Sequence, residues 1–211
     1  MARTVGSVGA ETAKRVLKEA LRLFAREGYA AVSMRQIAGK CGLQAGALYN
    51  HFPTKQAILN ELMVTHLESL LAAYDETPDH ASPLDALEAF ARFHIAYHID
   101  KPEEVFIAYM ELRNLETGNL GPVMKLRQQY ERCLRGILRN GVASGDFEID
   151  DVPVTAMAII SMMTGVNTWF RYGGRLSIRE IETIYVNMIF ALVGKNDQRM
   201  GNSTEEERVN V

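Results

Sequence analysis

Apolar residues recur along this chain at spacings of three and four, and no stretch alternates as a half-buried strand would. The pattern therefore predicts an all-α fold of about nine helices. The first helix, over 11–27, carries Ala13, Val16, Leu17, Ala20, Leu21 and Phe24 on one face and Lys14, Lys18, Arg22 and Arg26 on the other, with Gly28 as its stop. Ser33 opens a second helix with a capping box, because Gln36 stands three residues on and Val32 and Ile37 flank the cap as an apolar staple. That helix lasts only to about residue 40. Cys41-Gly42-Leu43 reads as a tight glycine turn, a third helix follows over 44–52, and Pro53 forbids its continuation. Two short helices about such a turn form a helix-turn-helix.

Thr54 caps a fourth helix, over 55–74, whose buried stripe is Leu59, Leu62, Met63, His66, Leu67, Leu70, Leu71 and Tyr74; it is expected to link a small head to a larger body. Ser82 and Pro83 open a fifth helix to residue 99, a sixth covers 103–114, and Pro122 leads a seventh to 144 after a turn at 118–121. The eighth, over 152–170, is apolar on nearly every side and should have neighbours on both faces. A second capping box, Ser177 with Glu180 inside the staple pair Leu176 and Ile181, opens the ninth, which stops at Gly194. The expected organisation is a head over 1–55, a helical body over 56–194, and a polar tail over 195–211 that lacks apolar period and should be disordered.

Composition adds a soluble class and an uneven charge. Of 211 residues, 47% are hydrophobic and 23% charged, enough for a real core. The net charge of −3 hides an asymmetry: residues 1–60 hold nine Lys or Arg against three Glu, a balance of +6, and the rest holds 14 against 23 acids, a balance of −9. A basic module on an acidic body suits a head that displaces counterions from phosphates. No uninterrupted apolar run approaches the roughly 18 residues of a membrane span, and residues 1–10 lack a signal-peptide core, so a cytoplasmic protein is expected. Cys41 and Cys133 stand alone in sequence and read as buried thiols, with neither disulfide nor zinc signalled, and no cofactor is called for.

In the third helix Ala45, Leu48 and Phe52 fall on one side, while Gln44, Ala47, Asn50 and His51 fall outward and Gly46 leaves room for close backbone approach to DNA. Gln and Asn pair bidentately with adenine in the major groove, and an alanine suits a thymine methyl. Ser33, Arg35, Tyr49, His51 and Lys55 have the chemistry for phosphate. The DNA-facing set is then Ser33, Arg35, Gln44, Ala45, Gly46, Ala47, Tyr49, Asn50, His51 and Lys55.

The runs Leu23-Phe24-Ala25-Arg26-Glu27-Gly28-Tyr29, Val32-Ser33-Met34-Arg35-Gln36-Ile37-Ala38, Cys41-Gly42-Leu43 and Gly46-Ala47-Leu48-Tyr49-Asn50-His51-Phe52-Pro53-Thr54-Lys55 together resemble the DNA-binding domain of TetR-family regulators. The resemblance covers about the first 60 residues. It implies a three-helix DNA-binding head, a ligand-binding helical body, a dimer made by the last two helices, and repression as the usual outcome of binding. The family's recognition helix varies with the operator, so the base preferences of Gln44, Ala47 and Asn50 do not transfer.

In the body, Val154, Ala158, Ser161, Met162 and Gly165 follow a helical spacing with small residues in the middle, which lets a second helix come close; with Ile181, Ile184, Tyr185, Met188 and Leu192 they are the expected face of a homodimer. A dimer predicts a pseudo-palindromic double-stranded operator. Effector-pocket candidates are Phe93, Tyr97, Phe106, Tyr109, Met110, Tyr130, Met163, Trp169, Phe170, Arg171 and Arg175, with Phe90 a further aromatic. The segment from Asn167 to Ser177 is similar to that of a TetR subgroup that senses acyl-CoA thioesters, although members of that subgroup often have Pro where this chain has Tyr172. Physically, Arg171 and Arg175 suit phosphate or carboxylate and Trp169 offers a stacking face, so a small hydrophobic or acyl-CoA effector is expected. His94 and His98 have the i, i+4 spacing of metal ligands but no third partner in sequence. No phosphate loop, nucleophile elbow or di-metal motif argues for an enzyme. A helical protein-interaction adaptor is the alternative, but it would have no use for outward Gln44, Asn50 and Lys55.

Overall fold

The computed structural model describes residues 5–194, with side chains from residue 9 onward; the expected disordered tail lies outside the described residues. Among them there is no strand. In chain order the helices are α1 (Val5–Glu27), α2 (Met34–Lys40), α3 (Ala45–Tyr49), α4 (Lys55–Asp75), α5 (Pro83–Ile99), α6 (Pro102–Met110), α7 (Thr117–Ser144), α8 (Val152–Thr164), α9 (Val166–Trp169) and α10 (Ile178–Leu192). A 3-10 turn, Leu112–Asn114, follows α6. If α8 and its short continuation α9 are counted as one, nine helices result among the described residues, as the apolar pattern predicts.

Starts with local signals appear where the sequence puts them. Ser33 and Gln36 form a complete capping box at α2, Ser177 and Glu180 another at α10, and Thr54 accepts from Ala57 N–H at α4. The hydrogen bonds from Ser177 hold the Glu180 carboxyl below the usual carboxylate range. Ends differ more. The sixth helix stops at Met110 and tightens into the 3-10 turn, and the 118–121 segment expected as a turn is the first part of α7. Pro122, expected to lead this helix, instead lies inside it at the sixth position, where it cannot donate to the Gly118 carbonyl.

The chain divides into two compact units. Among the described residues, one holds 5–76 together with 100–129, and the other holds 77–99 together with 130–194. In the first, α1 packs against α2, α4 and α6, α2 against α3, and α4 against α6. The residues that read as a separate head over 1–55 thus share a compact unit with α4 and α6. Its core is Val16, Ala20, Phe24, Ile37, Leu48, Ile58, Leu59, Met63, Leu67, Leu70, Val105 and Ile107. On α4 the predicted stripe is buried except for Leu62 and Tyr74, which are half-buried.

In the second unit α5 packs against α8, α9 and α10. Leu87, Phe90, Ile95, Leu134, Leu138, Ile159, Met163, Val166 and Ile189 are buried there. The polar loop after α7 turns on Gly141, whose carbonyl accepts from the N–H groups of Asp146 and Phe147, at 2.9 and 3.0 Å. The Phe147 ring lies so close to Gly141 that a Cβ there would stand 1.9 Å from Cδ2. The N–H of Glu148 then donates to the Val193 carbonyl, tying this loop to the end of α10.

Candidate nucleic-acid interface and effector groove

The helix-turn-helix is built around a small core. Ile37, Ala38, Leu48 and Phe52 are buried, so α3 has one face fixed against α2. Gly42, at φ +64°, makes the turn, and the N–H of Leu43 returns to the Ala38 carbonyl at 2.9 Å to close α2. Gln44 caps α3 through its backbone alone, which leaves its carboxamide uncommitted to the cap. Gln44, Gly46, Tyr49 and Asn50 are exposed, Tyr49 by 51%, and Ser33 and Arg35 stand exposed at the start of α2. A Cβ at Gly46 would meet no atom of the chain within 4 Å, so packing within the chain does not require glycine there.

Four members of the DNA-facing set sit differently from their sequence reading. Ala45, read as inward beside Leu48 and Phe52, is exposed, because the helix begins at Ala45 and its first turn overhangs the core. Ala47 and His51, read as outward, are half-buried. Lys55 departs most. Its ammonium donates to the carbonyls of Tyr29 at 2.8 Å, Val32 at 2.7 Å and Ala30 at 3.5 Å, and lies 4.2 Å from the centre of the Tyr29 ring. Burial lowers its pKa, with the Glu111 charge opposing. The side chain that suits a phosphate is committed inside the first unit, and what α4 offers outward at this point is its N-terminal backbone.

Tyr29 is the centre of this arrangement. Its N–H donates to Glu111 Oε1 at 3.1 Å, and its hydroxyl accepts from Gln56 Nε2 at 2.9 Å. Gln56 Nε2 also donates to the Asn114 carbonyl at 2.7 Å, while its Oε1 accepts from Glu116 N–H at 3.1 Å. The Asn114 amide in turn donates to Glu111 Oε2. Sequence reasoning did not select Glu111, Gln56 or Asn114, and no local signal marks them, since their partners lie 58 and 82 residues away.

The effector candidates do not form one set. Phe106, Tyr109 and Met110 lie on α6 in the first unit. Phe106 lines a groove of about 510 Å³ with Arg22, Ala25, Arg26, Pro102 and Glu103, and the Arg127 guanidinium covers the Tyr109 ring at 4.5 Å. In the second unit Tyr130 and Met163 are core residues rather than pocket lining. Tyr130 stacks on Phe90 at 5.3 Å and shares a hydrogen bond with His94 Nδ1 at 3.2 Å. His94 Nε2 is 3.1 Å from Thr164 Oγ1, and His98 Nδ1 bonds the His94 carbonyl at 2.8 Å, so these imidazoles are engaged in a buried polar cluster. Among the described residues no group of three His, Cys, Asp or Glu is placed to hold a metal. Phe93 and Tyr97 are half-buried and stacked at 5.5 Å. The remaining four candidates do come together: Trp169, Phe170, Arg171 and Arg175 line a groove of about 350 Å³ with Gly174, Leu176 and Ile181.

On the expected dimer face, Val154, Ala158, Ser161, Ile184, Met188 and Leu192 are exposed, and Met162, Gly165 and Tyr185 are half-buried. Ile181 is only 2% exposed; it closes the core under the groove and has little surface to offer a partner. Met157, absent from the sequence reading, belongs to the same open face of α8, three residues from Val154. By length and composition Val152–Trp169 is also apolar enough to cross a membrane; 28% of it is buried inside the chain, and α8 itself ends at Thr164.

Two family models match the chain. "Bacterial regulatory proteins, tetR family" covers residues 16–62, and "Tetracyclin repressor-like, C-terminal domain" covers residues 80–193. The HTH-type transcriptional repressor KstR2 of Mycolicibacterium smegmatis is 29% identical over 194 residues, 90% of this chain and 94% of its own. A crystal structure of a regulatory protein in the tetR family from Rhodococcus RHA1 superposes with a TM-score of 0.81 at 28% identity, over 88% of this chain and 98% of that one. AibR, crystallised with isovaleryl coenzyme A and operator DNA, shares the fold with a TM-score of 0.77 at 24% identity, over 85% of this chain and 98% of its own. With both its N-terminal and its C-terminal parts matched, the chain belongs to the TetR family of bacterial regulatory proteins.

Proposed function

We propose that this protein is a transcriptional repressor that binds a pseudo-palindromic operator as a homodimer in the cytoplasm and is released by an acyl-CoA-type effector. The observation that carries the DNA reading is the outward face of α3. Gln44, Gly46, Tyr49 and Asn50 are exposed on a helix whose other face is fixed by Leu48, and glycine at position 46 answers no packing need within the chain. Base reading falls to Gln44 and Asn50, with Ala45, Ala47 and Gly46 giving close approach, and phosphate contact to Ser33, Arg35, Tyr49 and His51. Repression is supported by the KstR2 relatives, which are named repressors.

Dimerisation is supported by the large apolar side chains left open on α8 and on α10: Val154 and Met157 on the first, Ile184, Met188 and Leu192 on the second. The effector class is supported by the groove at Trp169, where two guanidiniums and an indole suit the phosphates and the adenine of a coenzyme A. That the fold accommodates both an acyl-CoA and an operator is supported by AibR. The head over 1–55 then reads DNA and the body over 56–194 senses and dimerises.

The test is fluorescence anisotropy of the purified protein on its own upstream DNA at two salt concentrations, with and without a panel of acyl-CoA esters. Tight, salt-sensitive binding reversed by an ester is the expected result. Binding that no ester disturbs would remove the effector class, and simultaneous undiminished binding of ester and DNA would remove release.

A further inference from the structure

A helix that ends on a glycine in the left-handed region commonly closes its last carbonyls with its own following N–H groups. At the end of α1, Gly28, at φ +82°, does this once: its N–H returns to the Phe24 carbonyl at 2.9 Å. The next N–H, that of Tyr29, leaves the helix and goes to Glu111, a carboxylate only 6% exposed at the end of α6. The turn from Tyr29 to Val32 holds itself weakly, through a Val32 N–H to Tyr29 carbonyl contact of 3.4 Å, longer than an ordinary bond. Its stronger bonds come from elsewhere, from Lys55 and Gln56 of α4 and from Glu111. This turn leads directly into Ser33 and α2, against which α3 packs.

Glu111, Tyr29, Gln56 and Asn114 also close a circuit, because Asn114 is bound both by Gln56 and to Glu111. A circuit of this kind fixes three elements at once, and a shift of α6 by a single residue's rise, about 1.5 Å, breaks its bonds. We infer that Glu111 and Gln56 are positioning residues for DNA recognition: they hold the turn that launches α2, and so set how α3 meets the groove, from the end of α6. Neither touches DNA. The inference rests on the operator-binding reading above.

The test uses the full-length protein and two duplexes, one selected by the wild type from a random-sequence pool and one a scramble of it. Gln56→Ala is the decisive variant because it leaves the charge unchanged; Glu111→Ala and the conservative Glu111→Gln accompany it, and Tyr49→Ala serves as a direct-contact control. Gln56→Ala and Glu111→Ala should bind the selected duplex about tenfold more weakly, a change of about 1.4 kcal/mol. Gln56→Ala should keep wild-type affinity for the scramble and the wild-type salt slope, because no phosphate contact is lost. Glu111→Gln, which retains an acceptor for the Tyr29 N–H, should recover most of the loss. Amide exchange over residues 29–48 should quicken in the two alanine variants. Wild-type affinity of Gln56→Ala for the selected duplex would overturn the inference, as would an equal loss on both duplexes that tracks the fall in Tm. If the wild type shows no salt-sensitive binding to any duplex and Tyr49→Ala changes nothing, the operator reading falls and this inference with it.

Discussion

Lys55 separates two accounts of one residue, and Lys55→Met tests them because it keeps the stem and removes the ammonium. The structure gives the ammonium two short bonds, to the carbonyls of Val32 at 2.7 Å and Tyr29 at 2.8 Å, a longer one to Ala30, and the face of the Tyr29 ring. A hydrogen bond to a charged group contributes about 1.5–3 kcal/mol, and the cation–π contact adds about 0.5–1 kcal/mol. The gains do not sum fully, since the variant no longer desolvates a lysine; a loss of about 3 kcal/mol is expected. For a chain of this size that lowers Tm by roughly 6–12 °C, measured by circular dichroism at matched protein concentration. The same preparation, titrated with its selected duplex over a range of salt, should show weaker binding with an unchanged slope. A phosphate contact behaves oppositely: its loss reduces the slope by about one and leaves Tm nearly alone. That second pattern would refute the assignment of Lys55 to the turn.

Burial, with the charge of Lys101 adding to it, lowers the His66 pKa from 6.5 to about 4. The unfolded chain therefore takes up this proton first, so the contribution is complete above pH 6.5 and is lost as pH falls through about 4, about 3 kcal/mol in all. Urea unfolding between pH 7 and 4 should show a shallower decline in His66→Leu, and parallel curves would remove the assignment. Gly141→Ala places a methyl 1.9 Å from the Phe147 ring and should destabilise by about 2 kcal/mol. Combined with Phe147→Ala it should cost clearly less than the sum of the two, and strict additivity would contradict the packing. Met188→Glu sets a carboxylate on the open face of α10 and should weaken the dimer about a hundredfold or more, since an unpaired buried charge costs several kcal/mol. Sedimentation equilibrium indistinguishable from wild type would place the interface elsewhere.

What could be read from the sequence was local. A capping box needs only residues three apart, so Ser33 with Gln36 and Ser177 with Glu180 were legible as helix starts. The exposure of Gln44 and Asn50 and the burial of Leu48 follow from helical periodicity over a few residues, whereas Ala45, Ala47 and His51 do not sit where that periodicity puts them. Boundaries set by neighbours were not legible. The 118–121 segment looks like a turn by its glycines yet is helical, and Val5 to Ala10 extends α1 backwards past the first apolar-periodic residue. The fate of Lys55 depends on carbonyls 23 to 26 residues away, and that of Glu111 on an amide 82 residues away. A lysine at a helix start has the same sequence appearance whether it meets a phosphate or a carbonyl, and only the fold distinguishes them.

The eighth helix shows the same limit from the other side. Its apolar character on every face led to an expectation of neighbours all round, but the chain itself covers only one side of α8, burying Ala156, Ile159 and Met163 and leaving Val154 and Met157 open. These open side chains, with Ile184, Met188 and Leu192 open on α10, are costly to leave in water, since burying an apolar side chain fully is worth about 1.5–3 kcal/mol. Their use follows from the smallness of the head. The five residues of α3 present few base-reading side chains, and one such helix gives modest affinity against the many competing sites of a genome. In the proposed homodimer, joining two heads through α8 and α10 would make the second contact intramolecular and multiply discrimination, provided the half-sites have the spacing that the dimer imposes. On the proposed homodimer, then, operator affinity depends on the apolar side chains of the body as well as on Gln44 and Asn50, and Met188→Glu is expected to weaken DNA binding without altering a residue of the head.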